Sequence, residues 1–220
     1  MKFCCWMFAA VLSLPLPILA QKPAVRPAIT GIATVSVYAS DMAKSRGFYG
    51  KFLGFPEIHL GSRRYRVNEQ QTIQVDLAPH GETDFLESIA LATPDVEAMR
   101  SYLVGNGVQV SGRIERRADG AHWFQMKDPE GHRIEFVQAP SSPTAMHGGE
   151  DQVSHHILHA GFVVRDRAAE DHFFRDILGF HQAWQGGATD KKTDWVDMQV
   201  PNGGDWIEYM LHAPGPVTAQ

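Results

Sequence analysis

His159 and Glu208 are the two residues whose types and placement best suit metal chemistry. In Asp205–His212 the apolar set is Ile207, Tyr209 and Leu211, so a strand there turns Glu208, Met210 and His212 to the opposite face. Around His159 the apolar set is Ala160, Phe162 and Val164, which turns His159, Gly161 and Val163 the other way. By parity His159 and Glu208 share one open face, and an imidazole with a carboxylate there is the raw material of a divalent metal site. Glu208 could act as ligand or as proton acceptor. Two ligands are too few, because zinc takes three or four protein groups. His212 lies four residues beyond Glu208, about 13 Å along a strand at roughly 3.3 Å per residue. His155 stands the same way to His159, and His156 would face the opposite side. The missing ligands must come from another unit; the 11 His of the chain are numerous for its length.

The elements that position these residues are written into a repeat. His159–Phe180 matches Thr34–Phe55 without a gap over 22 positions. Asp41 aligns with Asp166, Phe48-Tyr49 with Phe173-Phe174, and Leu53-Gly54-Phe55 with Leu178-Gly179-Phe180. Such a repeat fixes the architecture before any single residue does. In the first copy Ile32–Ala39 alternates as a strand, Asp41 is an N-cap, and Met42, Phe48, Tyr49, Phe52 and Leu53 form a helical stripe ended by Gly54. Strands are expected at Phe55–His59, Arg63–Asn68 and Gln71–Leu77. The next stretch has the same grammar: a strand at Ser88–Thr93, a helix opened by Pro94-Asp95, and strands at Val108–Val110, Ile114–Arg117, Ala121–Lys127 and Arg133–Ala139. A turn at Asp128–Gly131 joins the last two. The third unit begins near His155 and adds strands at His181–Gln185, Asp194–Val200 and Asp205–His212. Three β-α-β-β-β units result.

In the first two units the positions equivalent to His159 and Glu208 are Thr34, Gln74, Ser88 and Glu135. One carboxylate with an amide and two hydroxyls suits a transition metal poorly and a hydrogen-bonding pocket well. The expected lining of that pocket is Thr34, Ser36, Tyr38, Gln74 and Ser88, with His122 or Trp123. Glu135 is read either as a ligand or as a carboxylate held by donors such as Gln74 or Ser88.

The strand leading into Ser40-Asp41, the F-Y-x-x-x-L-G-F run of Phe48–Phe55 and D-P-E-G-H-R-I-E-F at Asp128–Phe136 carry a family resemblance. The chain resembles the vicinal oxygen chelate superfamily: glyoxalase I, extradiol dioxygenases, and the bleomycin- and fosfomycin-resistance proteins. The resemblance implies an α+β fold in which paired βαβββ modules form a curved mixed sheet around a central pocket. It implies metal ligands from the first strand (His or Gln) and last strand (Glu) of a unit. His159, Glu208 and Glu135 match that pattern; Thr34, Ser88 and Gln74 depart from it. The metal implied is one of Fe, Mn, Ni, Co or Zn, and the chemistry is of lyase, isomerase or dioxygenase type on a small oxygenated molecule, with Glu208 the catalytic group. Members without metal bind or sequester a ligand, and that is the competing reading, beside a truncated inactive form.

Composition bounds the rest. The formal net charge is −5 and no basic patch stands out, so nucleic acid is not an expected partner. Met1–Ala20 has Lys2, a short Pro-broken apolar run and Ala20, the anatomy of a signal peptide, so a secreted or periplasmic protein with no membrane association after cleavage is expected. Both cysteines, Cys4 and Cys5, lie inside that segment, so the mature chain carries no disulfide. The expected organisation is a signal peptide (1–20), a leader (21–31), a two-module domain (32–139), a linker (140–154), a single module (155–212) and a tail (213–220). A lone module exposes an apolar edge and face. Either it pairs with the same module of a second chain, forming a homodimer through residues 155–212, or the chain is a shortened four-module protein.

Overall fold

A computed structural model describes residues 25–79, 86–110, 112–140, 149 and 151–211. The expected signal peptide, most of the linker, His212 and the tail lie outside the described residues. The first unit contains β1 (Gly31–Ala39), α1 (Met42–Arg46), β2 (Arg64–Arg66) and β3 (Thr72–Leu77). The second contains β4 (Leu86–Ala92), α2 (Val96–Gly105), β5 (Glu115–Arg116), β6 (His122–Lys127) and β7 (Arg133–Gln138). The third contains β8 (His159–Val164), α3 (Arg167–Asp171), β9 (His181–Gly186), β10 (Trp195–Gln199) and β11 (Trp206–Leu211).

Each unit repeats one pairing rule. Its first strand runs parallel to its last: β1 with β3, β4 with β7, β8 with β11. Its last strand runs antiparallel to the one before: β3 with β2, β7 with β6, β11 with β10. A parallel neighbour requires a crossover, and the helix of each unit supplies it. Antiparallel pairing of β1 with β4, Ser36 opposite Ser88, joins the first two units into a seven-stranded sheet ordered β2-β3-β1-β4-β7-β6-β5. The third unit forms its own sheet, β8-β11-β10-β9.

Local chemistry accounts for the helix starts. Asp41 accepts from the Ala43 and Lys44 N–H groups, Asp95 from Ala98 and Asp166 from Ala169, each satisfying donors that a first turn leaves open. Two expectations differ. Phe55–His59 contributes only the bridge Glu57–Tyr65, and Val108–Val110 forms no ladder although Val108 and Val110 still pack on the core. The repeated helices also widen: α1 and α3 continue as π-helical segments at Gly47–Phe52 and His172–Ile177, closed by Leu53 N–H to Phe48 O and Leu178 N–H to Phe173 O. Six-residue π runs are uncommon, and here they recur at one repeat offset. Gly54 and Gly179 follow with φ of 74° and 75°, the left-handed conformation that glycine adopts without a Cβ clash.

The largest core is continuous across the second and third units. It holds Val96, Met99 and Leu103 of α2, Phe124, Met126, Ile134 and Phe136 of β6 and β7, and Phe162, Phe173, Phe174, Ile207 and Tyr209 of the third unit. The Tyr102 hydroxyl donates to Ile177 O at 2.7 Å across this seam. Asp205 and Gln71 extend it: Asp205 accepts from the Ile32 N–H (2.8 Å) and Gln71 Nε2 (3.3 Å), and Gln71 Nε2 also donates to Ile157 O (3.0 Å). The helix side of the third unit is therefore covered by the second. Its other face is open, with β9 exposed almost throughout. Among the described residues β8 has one ladder partner, β11.

Candidate functional site

The concave face of residues 31–138 is polar and tightly engaged. Thr34, Ser36 and Ser88 are buried there, and the Thr34 hydroxyl meets that of Thr72 at 2.9 Å. Gln74 accepts from Arg64 Nε (3.0 Å) and donates to Asp76 (3.1 Å). Glu135 accepts from the Ser88 hydroxyl at 2.9 Å and, on its other oxygen, from Arg117 at 2.6 Å. Arg117 in turn lies 5.0 Å from the centre of the Trp123 ring. Near Tyr38, Glu87 and Arg133 pair with each other at 2.8 Å. Burial, and then the neighbouring Arg117, hold the Arg64 guanidinium below its ordinary pKa. Glu135 is thus the carboxylate held by neighbouring donors. With both its oxygens engaged and no imidazole among the described lining residues, this set does not fit a transition metal.

One correction follows from the ladder. Trp123 pairs with Val137 and faces the concave side, whereas His122 shares the opposite parity with Phe124 and Met126, which are core residues. His122 does not line the pocket, because adjacent residues in a strand point to opposite faces. Arg64 and Arg117 are pocket residues that sequence reading missed. Arg64 was legible from the alternation around the buried Tyr65; Arg117 follows β5 in a loop, where no periodicity signals its direction.

On the third unit, His159 and Glu208 do share the open face. His159 stands opposite Trp206 and stacks on it, with rings 5.2 Å apart and 3° from parallel. Glu208 stands between Gly161 on β8 and Asp197 on β10. A Cβ at Gly161 would come within 2.7 Å of Glu208 O, so glycine lets the two strands close at this point. Asp197 and Trp206 are additions to the expected set. Asp197 Oδ1 and Trp206 Nε1 are buried with no partner among the described residues. Burial raises the Asp197 pKa, opposed by nearby His159. The alternation of β10, with Val196 and Met198 in the core, carried the signal for Asp197. The same face exposes Val163 and Trp195, while His156 turns away to bond Asp205 at 2.7 Å.

A third cluster lies at the seam between units two and three. Asp128, His132 and Glu170 each offer one ligand atom within 4.8 Å of the others. Asp128 and His132 belong to the turn between β6 and β7, and Glu170 to α3. Burial, together with the Asp128 charge, pushes the Glu170 carboxyl up to about 8. Burial, the largest single influence, disfavours the charged form of His132, but its bond to Asp128 and the charges of Asp128, Glu170 and Glu130 together outweigh it and raise its pKa.

Repeated βαβββ units, parallel first and last strands, and two units joined across their first strands into a curled mixed sheet define the glyoxalase/dioxygenase fold. Residues 31–136 match the Glyoxalase/Bleomycin resistance protein/Dioxygenase superfamily. Among solved structures it is similar to the Mn(II)-bound glyoxalase from Novosphingobium aromaticivorans, with a TM-score of 0.64 and 19% identity over 86% of this chain and 63% of that one. It is also similar to a mutant homoprotocatechuate 2,3-dioxygenase from Brevibacterium fuscum, with a TM-score of 0.62 and 20% identity over 90% of this chain and 56% of that one. A halotolerant catechol dioxygenase gives a TM-score of 0.56 and 18% identity over 84% and 66%. The chain therefore spans 56% to 66% of the length of these structures. No curated protein sequence matches it.

Proposed function

We propose that the protein is an exported, divalent-metal-dependent enzyme acting on a small oxygenated molecule at the open face of its third unit. The observation that carries this reading is the pair of orphaned polar atoms, Asp197 Oδ1 and Trp206 Nε1, beside His159 and Glu208. A buried polar atom without a partner is costly unless something outside the chain satisfies it. His159 and Glu208, with Asp197 beside them, would be this chain's contribution to the site of an ion such as Fe, Mn, Ni, Co or Zn, with Trp206 stacked on the imidazole. Such an ion, when bound, would supply Lewis-acid polarisation of a substrate oxygen. Glu208, reachable from the open side, exchanges the proton. The similarity to an Mn(II)-bound glyoxalase and to homoprotocatechuate 2,3-dioxygenase supports lyase, isomerase or dioxygenase chemistry.

The half-site is completed by a second copy. The β1–β4 pairing inside the chain is the template for how two first strands meet, and β8 offers an edge with no ladder partner among the described residues. Two β8 strands pairing antiparallel are related by a two-fold axis, an isologous contact that closes and brings a second His159 and Glu208 to the same face. Metal analysis with light scattering tests this: a dimer is expected that loses its open-face metal on His159→Ala. A monomer, or a dimer with unchanged metal content in that variant, refutes it. The second reading, a metal-free binding protein, draws on the concave face of residues 31–138, where the Arg64 and Arg117 guanidinium groups supply donors for an oxygenated ligand beside Thr34 and Ser88. A ligand-induced rise in melting temperature with EDTA present would favour it.

A further inference from the structure

We propose that Asp128, His132 and Glu170 form a divalent-cation site of the zinc type that fastens the third unit to the second. The site shares no residue with the open face or the concave pocket, and it stands whether or not either of those performs chemistry. Two of its ligands come from the turn between β6 and β7 and the third from α3, so an ion here adds to the core packing and the Glu130 hydrogen bonds that already join these elements.

His132 is aimed by two contacts. Its ring stacks on Phe162 with centroids 4.2 Å apart, and its Nδ1 lies 2.7 Å from Asp128 Oδ2. Asp128 Oδ1 accepts the His132 backbone N–H at 2.8 Å, which ties both ligands to one turn. Glu170 supplies the independent sign of a missing ligand. Its exposure is 0%, its Oε1 accepts the Glu130 N–H at 3.1 Å, and its Oε2 has no partner among the described residues. An ionised buried oxygen in that state is strongly unfavourable unless a cation meets it. Glu130 deepens the need: its Oε2 is buried without a hydrogen bond and faces Arg165 only at 3.8 Å. Three carboxyl groups thus converge on one imidazole and one guanidinium, and a divalent ion would take the place of the proton that Glu170 otherwise retains. Two carboxylate oxygens and one imidazole nitrogen make a three-ligand zinc set, with a fourth position left for water. Zinc bonds of about 2.0–2.2 Å place tetrahedral ligands roughly 3.3 Å apart, so closing from within 4.8 Å requires side-chain shifts on the order of 1 Å.

The test uses zinc as the probe on the full chain stripped with EDTA, comparing wild type, Glu170→Gln and His159→Ala by calorimetric titration and thermal melting. Wild type and His159→Ala are expected to bind zinc at this site. At a hundredfold excess over Kd both should melt about 5–10 °C higher. Glu170→Gln should bind at least tenfold more weakly and lose that rise. In the His159→Ala background, which removes the open-face imidazole, cobalt should give visible ligand-field absorption that the added Glu170→Gln abolishes. Gln keeps the shape and the Glu130 contact, so the metal-free variant should melt no lower than metal-free wild type; should it fail to fold, Asp128→Asn takes its place. Zinc binding and melting shift unchanged in Glu170→Gln would overturn the proposal, as would a wild type whose melting ignores zinc. Loss of all zinc in His159→Ala alone would overturn it too and leave the open-face reading standing.

Discussion

Glu170 should make the metal-free protein steadily less stable as pH rises through neutrality. Its carboxyl has an ordinary pKa of 4.5 and a folded value of about 8, raised by burial and by Asp128. Between those values the folded chain holds a proton that the unfolded chain has released. Stability therefore falls with rising pH, by about 1.4 kcal/mol per unit. The full effect is present below pH 4.5 and has been lost above pH 8, a total of about 5 kcal/mol. That is comparable to the whole stability of a typical domain, and corresponds to a melting change of about 10–20 °C for a chain of this size. His132, also raised, contributes a slope of the same sign, so the comparison that isolates Glu170 is with Glu170→Gln. Urea denaturation in EDTA at half-unit steps from pH 5 to 8.5 should show a steep decline in wild type and a shallow one in the variant, with the variant the more stable above pH 7. A flat wild-type profile, or equal slopes in the two proteins, would refute the reasoning.

Removing an N-cap should cost about 1 kcal/mol, and more in a short helix than propensity suggests: Asp41→Ala, which strands the Ala43 and Lys44 N–H groups, is expected to lower the urea midpoint accordingly. Phe174→Ala should destabilise by about 3–5 kcal/mol, because that ring is fully buried against Phe162, Phe173, Phe180 and Tyr209. Arg117→Met leaves Glu135 with Ser88 as its remaining donor and should cost about 3 kcal/mol, most of which Arg117→Met with Glu135→Met recovers. A double-mutant cycle by chemical denaturation measures both figures, and independence of the two sites would contradict the pocket as described.

Much of the fold was legible because it repeats. Asp41, Asp95 and Asp166 announced three helix starts, and each caps the helix that follows. Alternation placed Phe162 and Val164, Ile207 and Tyr209 in the core and left His159 and Glu208 on the far face. Parity also carried Asp197 and Arg64, which became visible as site residues only when their strands were set in register. The π-helical widening after α1 and α3 was not legible, since the spacing of the apolar stripe is similar for both helix types over so short a run.

The sequence by itself determined the three-unit architecture and the face each strand residue takes, because side-chain direction in a strand follows from local backbone geometry. Only the tertiary structure decided which units share a core. The same periodicity that gives α2 and the π-helical continuation of α3 their apolar residues does not say that these share one core. That shared core buries the helix side of the third unit, keeps the His159 face open, and brings Glu170 to Asp128 and His132. Residues 38 or more apart in sequence became neighbours there through packing, which no pattern along the chain records.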